Sequence, residues 1–194
     1  MLANESEIIR QCQAGDTSSF DLLVEEHYTR VYNTALRMLS DPDSAADATQ
    51  AVFVRTFRSL EGFRGDSSFS TWLYRITVNV CLDELRNRPQ EPVSLTFVGD
   101  NDEEPEERSI PDNCTEPAAC VVRDERQRVV HEAIQQLPAE YRVVLVLYDL
   151  NGFSYKDTAQ VLGIPVGTVK SRLNRARGAL KEVLRPYLEL FELP

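Results

Sequence analysis

The chain has 194 residues, a formal net charge of −10, 42% hydrophobic residues and 27% charged residues, a composition typical of a globular protein of one or two domains. No apolar run is long enough to cross a bilayer, and the N-terminus MLANESEIIR lacks a signal-peptide core, so we expect a cytoplasmic protein with no membrane span. The four cysteines form no CxxC pair and only two histidines accompany them, which argues against a zinc site. No phosphate-binding glycine loop or nucleophile–base arrangement occurs. We therefore predict no enzyme activity, catalytic residue, metal or cofactor.

Residues 1–88 are predicted to form the first domain, an all-α unit with helices over 5–13, 17–39, 42–60 and 70–87. Asp41-Pro42 marks the start of the third helix as N-cap and first-turn proline. The side of this helix opposite its core positions carries both polar and apolar residues, including a valine. Such a stripe suits a protein-docking surface better than a DNA contact, although a merely solvated face fits the spacing equally well. We call this stripe the docking surface; its residues are Asp47, Gln50, Val54 and Arg58.

The fourth helix and the loop before it carry groups suited to an unpaired base. Trp72 lies on the same side as Arg75 and Asn79, and an aromatic ring among cationic and amide groups is what base stacking requires. The loop FRGDSSF could hold an everted base through its hydrogen-bonding edge. Alternatively, Trp72 seals a contact between two helices, with neighbouring phenylalanines as core anchors; the spacing leaves both readings open. We call this set the base-capture surface; its residues are Arg64, Gly65, Asp66, Ser67, Ser68, Trp72, Arg75 and Asn79.

Residues 89–120 are predicted to be a flexible acidic linker. They contain five prolines and little helical periodicity, and residues 89–122 hold nine acids against one base, a composition typical of a solvated tether. Most of the net negative charge is therefore confined to one segment. We expect it to disfavour DNA binding by the free protein.

Residues 121–194 are predicted to form a second helical domain of four helices. The first runs to about Gln136, and Pro138 opens the second, AEYRVVLVLYDL. Its VVLVL run could pass for a strand. We expect a helix because Pro138 and Gly152 frame the segment at helical length and helices surround it.

The last two helices are predicted to form a helix-turn-helix over GFSYKDTAQVLGIPVGTVKSRLNRARGAL. Ser154 is an N-cap, Gly163 suits a left-handed turn residue, and Pro165 lies where a new helix begins. The second helix of this motif enters the DNA major groove, and residues 165–185 hold six Lys or Arg against one acid. A solvated charged helix face is the alternative. We call its polar and cationic face the recognition surface; its residues are Thr168, Lys170, Ser171, Arg172 and Arg175.

In four segments the chain resembles bacterial extracytoplasmic-function sigma factors of the sigma-70 family. The segments occur in the family's order and are DPDSAADATQAVFVRTFRSL, FRGDSSFSTWLYRITVNVCLDELR, QQLPAEYRVVLVLYDLNGFSY and IPVGTVKSRLNRARGALK. The chain departs from the common pattern at Ala46 and Ala51, where many members carry acids, and at Asn174, where histidine is frequent.

The resemblance implies that the first domain is sigma region 2 and the second sigma region 4. Region 2 would bind the clamp helices of the polymerase β′ subunit through the docking surface. The same domain would recognise and melt the minus-ten element through the base-capture surface. Region 4 would bind the minus-thirty-five element through the recognition surface. The resemblance further implies core RNA polymerase and promoter DNA as partners, and an anti-sigma factor as regulator.

Two other functions remain open at the level of sequence. A self-sufficient DNA-binding regulator would need only the four C-terminal helices, but it leaves the base-capture surface unexplained. A protein–protein adaptor would use the first domain only for docking.

Overall fold

A computed structural model describes residues 5–87, 117–188 and 191, and every regular element within these ranges is a helix. The first domain contains α1 (Glu5–Gln13), α2 (Ser18–Leu39), α3 (Pro42–Ser59), a 3-10 turn (Leu60–Gly62) and α4 (Phe69–Asn87). The second contains α5 (Pro117–Gln135), α6 (Ala139–Leu145), a π-helical turn (Val146–Leu150), α7 (Tyr155–Leu162), α8 (Val166–Leu184) and a 3-10 turn (Arg185–Tyr187).

The prediction of two all-α domains is confirmed. Residues 89–116 of the predicted linker lie outside the described residues. Helix α5 begins at Pro117, four positions before the expected start at residue 121.

Helix α2 is the centre of the first domain. Its buried positions recur at helical spacing and include Leu23, Val31, Ala35 and Met38, each no more than 1% exposed. This apolar stripe packs against α3 and α4. The core therefore fixes α3 with its opposite face towards solvent, which is the face of the docking surface.

The start of α3 is capped as predicted. Asp41 has an extended backbone, its carboxylate accepts the Ser44 N–H at 2.8 Å, and Pro42 occupies the first turn. The cap satisfies a backbone donor that the helix leaves unpaired.

We expect Asp41→Ala to lower the free energy of unfolding by about 1 kcal/mol, because it removes this cap. Asp43→Ala in the same first turn is the matched control, since Asp43 offers only a charge near the helix N-terminus, worth about 0.3–1 kcal/mol. Urea unfolding midpoints at unchanged slope would compare the two. Equal losses would show that the cap hydrogen bond is not the source.

Helix α6 and its π-helical turn form the core of the second domain. Val143 to Leu147 are all buried, at 0–3% exposure. An uninterrupted buried run is possible in a helix here because α6 contacts α8 on one side and α2 and α4 of the first domain on another. This two-sided burial explains why VVLVL lacks the alternation of an amphipathic helix.

The two domains pack directly on each other in this structure. Helix α7 lies against α4, and α5 lies against α2. The docking, base-capture and recognition surfaces stay accessible in this arrangement, since each contains exposed residues.

Candidate nucleic-acid and protein interfaces

The four residues of the docking surface all lie on the exposed side of α3, and Val54 is 44% exposed. They line a groove of about 870 Å³ between α2 and α3, whose α2 wall is formed by Phe20, Asp21, Val24 and Tyr28. Ala46, one of the departures from the family pattern, also lines it. The structure therefore brings the predicted set together as one wall of a concave surface.

The aromatic lining of this groove was not predicted from the sequence. Phe57 and Tyr28 are 46% and 47% exposed. The Phe57 ring meets Phe20 edge to face at 5.1 Å, and Tyr28 stacks at 6.2 Å from Phe53. Phe57 could have been found, because it follows Val54 by three positions on the same helical face. Exposed aromatic rings in a groove with a charged rim are typical of a protein interface.

The loop of the base-capture surface is held at its base and open at its tip. Gln13 of α1 donates through Nε2 to the carbonyl oxygens of Leu60 and Phe63, both at 2.9 Å. Gly65 has φ +75°, which favours glycine. Ser68 accepts the Thr71 N–H at 3.0 Å and so caps α4. The residues at the tip of the loop take no part in this cap, and Arg64 and Asp66 are exposed there.

The surroundings of Trp72 are compatible with both interpretations that its sequence position left open. Its ring is 5.0 Å from Phe63 and 5.7 Å from Phe69, so it seals the loop against α4. The side chain is only partly buried, whereas Phe69 is 3% exposed. Arg75 and Asn79 are exposed on the following turns of the same side. An accessible indole edge beside a cation and an amide is suited to a base.

The turn of the helix-turn-helix has the geometry that its sequence predicts. Ser154 caps α7 by accepting the Asp157 N–H at 3.1 Å, and Gly163 is left-handed with φ +64°. Pro165 is the residue just before α8 rather than its first residue. Helix α8 buries Val169, Leu173 and Ala176. The five residues of the recognition surface are exposed or half-buried on the remaining faces.

A stack of aromatic rings supports the cations of α8. Tyr148 and Tyr155 lie 4.4 Å apart, and the Lys170 ammonium is 5.4 Å from the Tyr155 ring centroid. Arg177 lies over Tyr148 and binds both carboxylate oxygens of Asp149, at 2.5 and 3.1 Å.

These contacts also shift the pKa values of Tyr155 and Arg177. Burial, followed by the neighbouring Tyr148, raises the pKa of Tyr155 to about 12. The hydrogen bonds that Arg177 donates to Asp149 raise the pKa of Arg177. At neutral pH the tyrosine is therefore neutral and the arginine charged, so both cation–π contacts persist. The supporting residues Tyr148, Asp149 and Tyr155 were not predicted, because they lie outside α8 in two other helical elements.

Arg172 is paired with Glu140 in the first turn of α6, with 3.1 Å between guanidinium nitrogen and carboxylate oxygen. The side chains are 32% and 53% exposed. An exposed pair of this kind contributes only about 0–1 kcal/mol. Glu140 therefore orients Arg172 without preventing it from turning to another acceptor.

In the part of the chain that the structure describes, no helix combines the length and apolar character of a membrane span. The same residues contain no group of three or more His, Cys, Asp or Glu side chains placed to hold a metal ion.

Comparison with known proteins places the surfaces in two matched regions. The family model "Sigma-70 region 2" matches residues 23–90, and "Sigma-70, region 4" matches residues 127–180. The first match contains the docking and base-capture surfaces, and the second contains the recognition surface.

The chain is also similar to whole proteins. It is 37% identical to the RNA polymerase sigma-H factor of Pseudomonas aeruginosa over 184 residues, which cover 95% of both chains. It is 32% identical to the ECF RNA polymerase sigma-E factor of Haemophilus influenzae over 181 residues, covering 93% of this chain and 95% of that one.

Two solved structures share its fold. CnrH, in complex with the cytosolic domain of CnrY, is 27% identical with a TM-score of 0.67, covering 92% of this chain and 96% of that chain. The sigma factor RpoE, in complex with the anti-sigma factor NepR from Bartonella quintana, is 23% identical with a TM-score of 0.63, covering 87% and 98%.

Proposed function

Because the chain belongs to the extracytoplasmic-function group of the sigma-70 family, and is therefore an RNA polymerase sigma factor, we propose that its three surfaces divide the work of initiation. The docking surface binds core polymerase, the base-capture surface opens the minus-ten element, and the recognition surface binds the minus-thirty-five element. The observation that carries this assignment is one chain with both an apolar docking groove and a cationic helix-turn-helix. We further propose that it acts in the cytoplasm without enzymatic activity, since binding free energy alone drives the opening.

The α2–α3 groove supports docking on the clamp helices of the β′ subunit. A helix binds a groove by laying apolar side chains into it, with charged residues at the rim setting orientation. Here Tyr28, Val54 and Phe57 provide the apolar lining, and Asp47 and Arg58 provide a rim of both signs.

The recognition surface supports base contacts in the major groove. Arg172 and Arg175 are one turn apart on α8, and arginine pairs bidentately with guanine. Lys170 is directed by Tyr155 to the flank of this face, where a phosphate contact fixes the register of the helix.

We also propose an anti-sigma factor as regulator. Support comes from the likeness to CnrH, which was solved in complex with the cytosolic domain of another protein, CnrY.

A run-off transcription assay tests the proposed function. Purified full-length protein added to core polymerase is expected to produce transcripts with a defined start on a fragment carrying its promoter. Tight, sequence-specific binding to duplex DNA without polymerase, and no transcript with it, would instead support a self-sufficient DNA-binding regulator.

Trp72→Ala is expected to slow promoter opening by about 5- to 150-fold, because stacking on one base is worth about 1–3 kcal/mol. Closed-complex formation should change little. Permanganate reactivity of unpaired thymines reports the opening rate. Trp72→Phe should retain most of the activity.

Phe69→Leu is the control for this change, since Phe69 belongs to the same ring cluster but is buried. It removes packing without touching the exposed surface. If it slows opening as much as Trp72→Ala, the indole acts only through packing.

A further inference from the structure

The FRGDSSF loop, residues 63–69, is held at its first end by α1, a helix that none of the three surfaces includes. Gln13, the last residue of α1, donates through Nε2 to the carbonyl oxygens of Leu60 and Phe63, both at 2.9 Å. The Leu60 carbonyl also accepts the Phe63 N–H at 3.0 Å, which ends the 3-10 turn before the loop. One side-chain amide therefore fixes the backbone at the point where the loop begins.

The other end of the loop is held through a buried histidine. His27 of α2 is 4% exposed, and its Nε2 lies 3.0 Å from Oε1 of Glu5, in the first turn of α1. The His27 ring is 5.3 Å from the ring of Phe69, which is the last residue of the loop and the first of α4. Helix α1 thus supports the loop at its beginning directly and at its end through His27.

Helix α1 can serve as a support because it is itself fixed to the core of the first domain. Ile8 and Ile9 are 9% and 7% exposed, and α1 packs against α2 and against the 3-10 turn. At the turn after α1, the Asp16 carboxylate accepts hydrogen bonds from Ser18 and Ser19 at 2.6 and 2.7 Å. A functional group supported by a packed helix is placed more precisely than one that depends on its loop alone.

The position of the loop determines how the Trp72 indole is covered. The Trp72 ring lies 5.0 Å from Phe63, and the Phe63 ring meets Phe69 edge to face at 5.9 Å. Gln13 therefore fixes the backbone of the residue whose ring lies against one side of the indole. A shift of this backbone would move Phe63 relative to Trp72 and change the surface offered to a base.

We propose that α1 positions the FRGDSSF loop for promoter opening and that Gln13 is the positioning residue. This inference rests on the proposed function. A loop that is already held in its binding shape does not have to be ordered when the everted base arrives, so less of the binding free energy is lost. Gln13 acts through the backbone of Phe63. It should not affect polymerase capture, because the docking groove lies between α2 and α3.

Gln13→Glu tests the proposal, because it keeps the size of the side chain and removes both N–H donors. Trp72 is the only tryptophan of the chain, so its fluorescence in the free full-length protein reports how the loop covers this ring. We expect Gln13→Glu to shift the emission maximum to longer wavelength and to raise quenching by acrylamide. Gln13→Ala, which adds no charge, should shift both in the same direction. Gln13 is exposed, so the circular dichroism spectra should not change.

Gln11→Glu is the matched control. Gln11 is an exposed glutamine of the same helix, but its Oε1 accepts from the Ser19 hydroxyl of α2 at 3.0 Å. A carboxylate retains this acceptor and adds the same charge to α1, so emission and quenching should equal those of the wild type. Wild-type fluorescence in both Gln13 variants would overturn the proposal. Equal shifts in Gln11→Glu and Gln13→Glu would also overturn it, because the added charge would then be the cause.

Promoter opening gives the second measurement. With core polymerase, Gln13→Glu should slow opening about fivefold, the equivalent of one net hydrogen bond, while polymerase capture and closed-complex formation stay at the wild-type level. Permanganate reactivity of unpaired thymines reports the opening rate. An unchanged rate would show that the loop is ordered by the base itself and would refute the positioning role. Failure of the wild-type protein to initiate at all would instead refute the proposed function, whereas the fluorescence comparison does not depend on polymerase.

Discussion

Val54→Asp is expected to abolish capture of core polymerase while the first domain stays folded. Val54 is 44% exposed in the groove between α2 and α3, so its replacement removes little buried area from the free protein. In a complex with the clamp helices the same position would lose its contact with water. An unpaired carboxylate buried there costs several kcal/mol, which corresponds to a loss of affinity of about 100-fold or more.

Val166→Asp is the matched control for this prediction. Val166 is the same residue type at 40% exposure, but it lies at the start of α8 in the second domain. Pull-down of core polymerase with the full chain should fail for Val54→Asp and succeed for Val166→Asp, with both circular dichroism spectra unchanged. Equal co-purification of the two variants would exclude the groove as the docking surface.

Val54 and its charged neighbours are expected to contribute differently to polymerase binding, because they occupy different positions in the groove. Asp47 and Arg58 lie at the rim of the groove, where water screens them. Reversing both charges together is therefore expected to slow association more than it weakens the final complex. We therefore expect the apolar lining to contribute affinity and the rim to contribute orientation.

Local signals in the sequence predicted several helix ends correctly. The Asp41 cap, the Ser154 cap and the left-handed Gly163 each depend on neighbours within a few positions, and all three occur as expected. The VVLVL segment was ambiguous by periodicity alone. Its helical form was predicted instead from the length between Pro138 and Gly152. The segment lacks periodicity because it is buried on two sides, one of them against the other domain.

What the sequence could not predict depends on contacts between distant segments. The docking groove needs Tyr28 on α2 opposite Val54 on α3, and no spacing within one helix reveals their relative placement. Glu140 pairs with Arg172 across 32 positions, and Asn151 reaches Thr34 across 117. Sequence patterns therefore predicted which helical faces are exposed and suited to binding, but not the residues that support them from other elements.

Arg172→Ala is expected to reduce promoter-specific initiation by about 5- to 150-fold, because a bidentate arginine–guanine pair is worth about 1–3 kcal/mol of discrimination. The loss of its ion pair with Glu140 is a smaller effect, since that pair is exposed and contributes about 0–1 kcal/mol. Polymerase capture should be normal, because the docking groove is on the other domain. Run-off transcription on promoters that differ at single positions of the minus-thirty-five element measures the change.

Arg128→Ala is the control for loss of a cation, since Arg128 is an exposed arginine of the same domain that pairs with Glu125 and Glu132 on α5. It should leave promoter choice unaltered.

Glu140→Gln tests whether Glu140 acts only by orienting the Arg172 side chain. If Glu140 only orients the guanidinium, Glu140→Gln alone should relax promoter selectivity a few-fold and should have no further effect once Arg172→Ala is present, since the two changes then act through one interaction. Selectivity that is unchanged by Arg172→Ala at every promoter position would mean that α8 binds the phosphate backbone without reading bases.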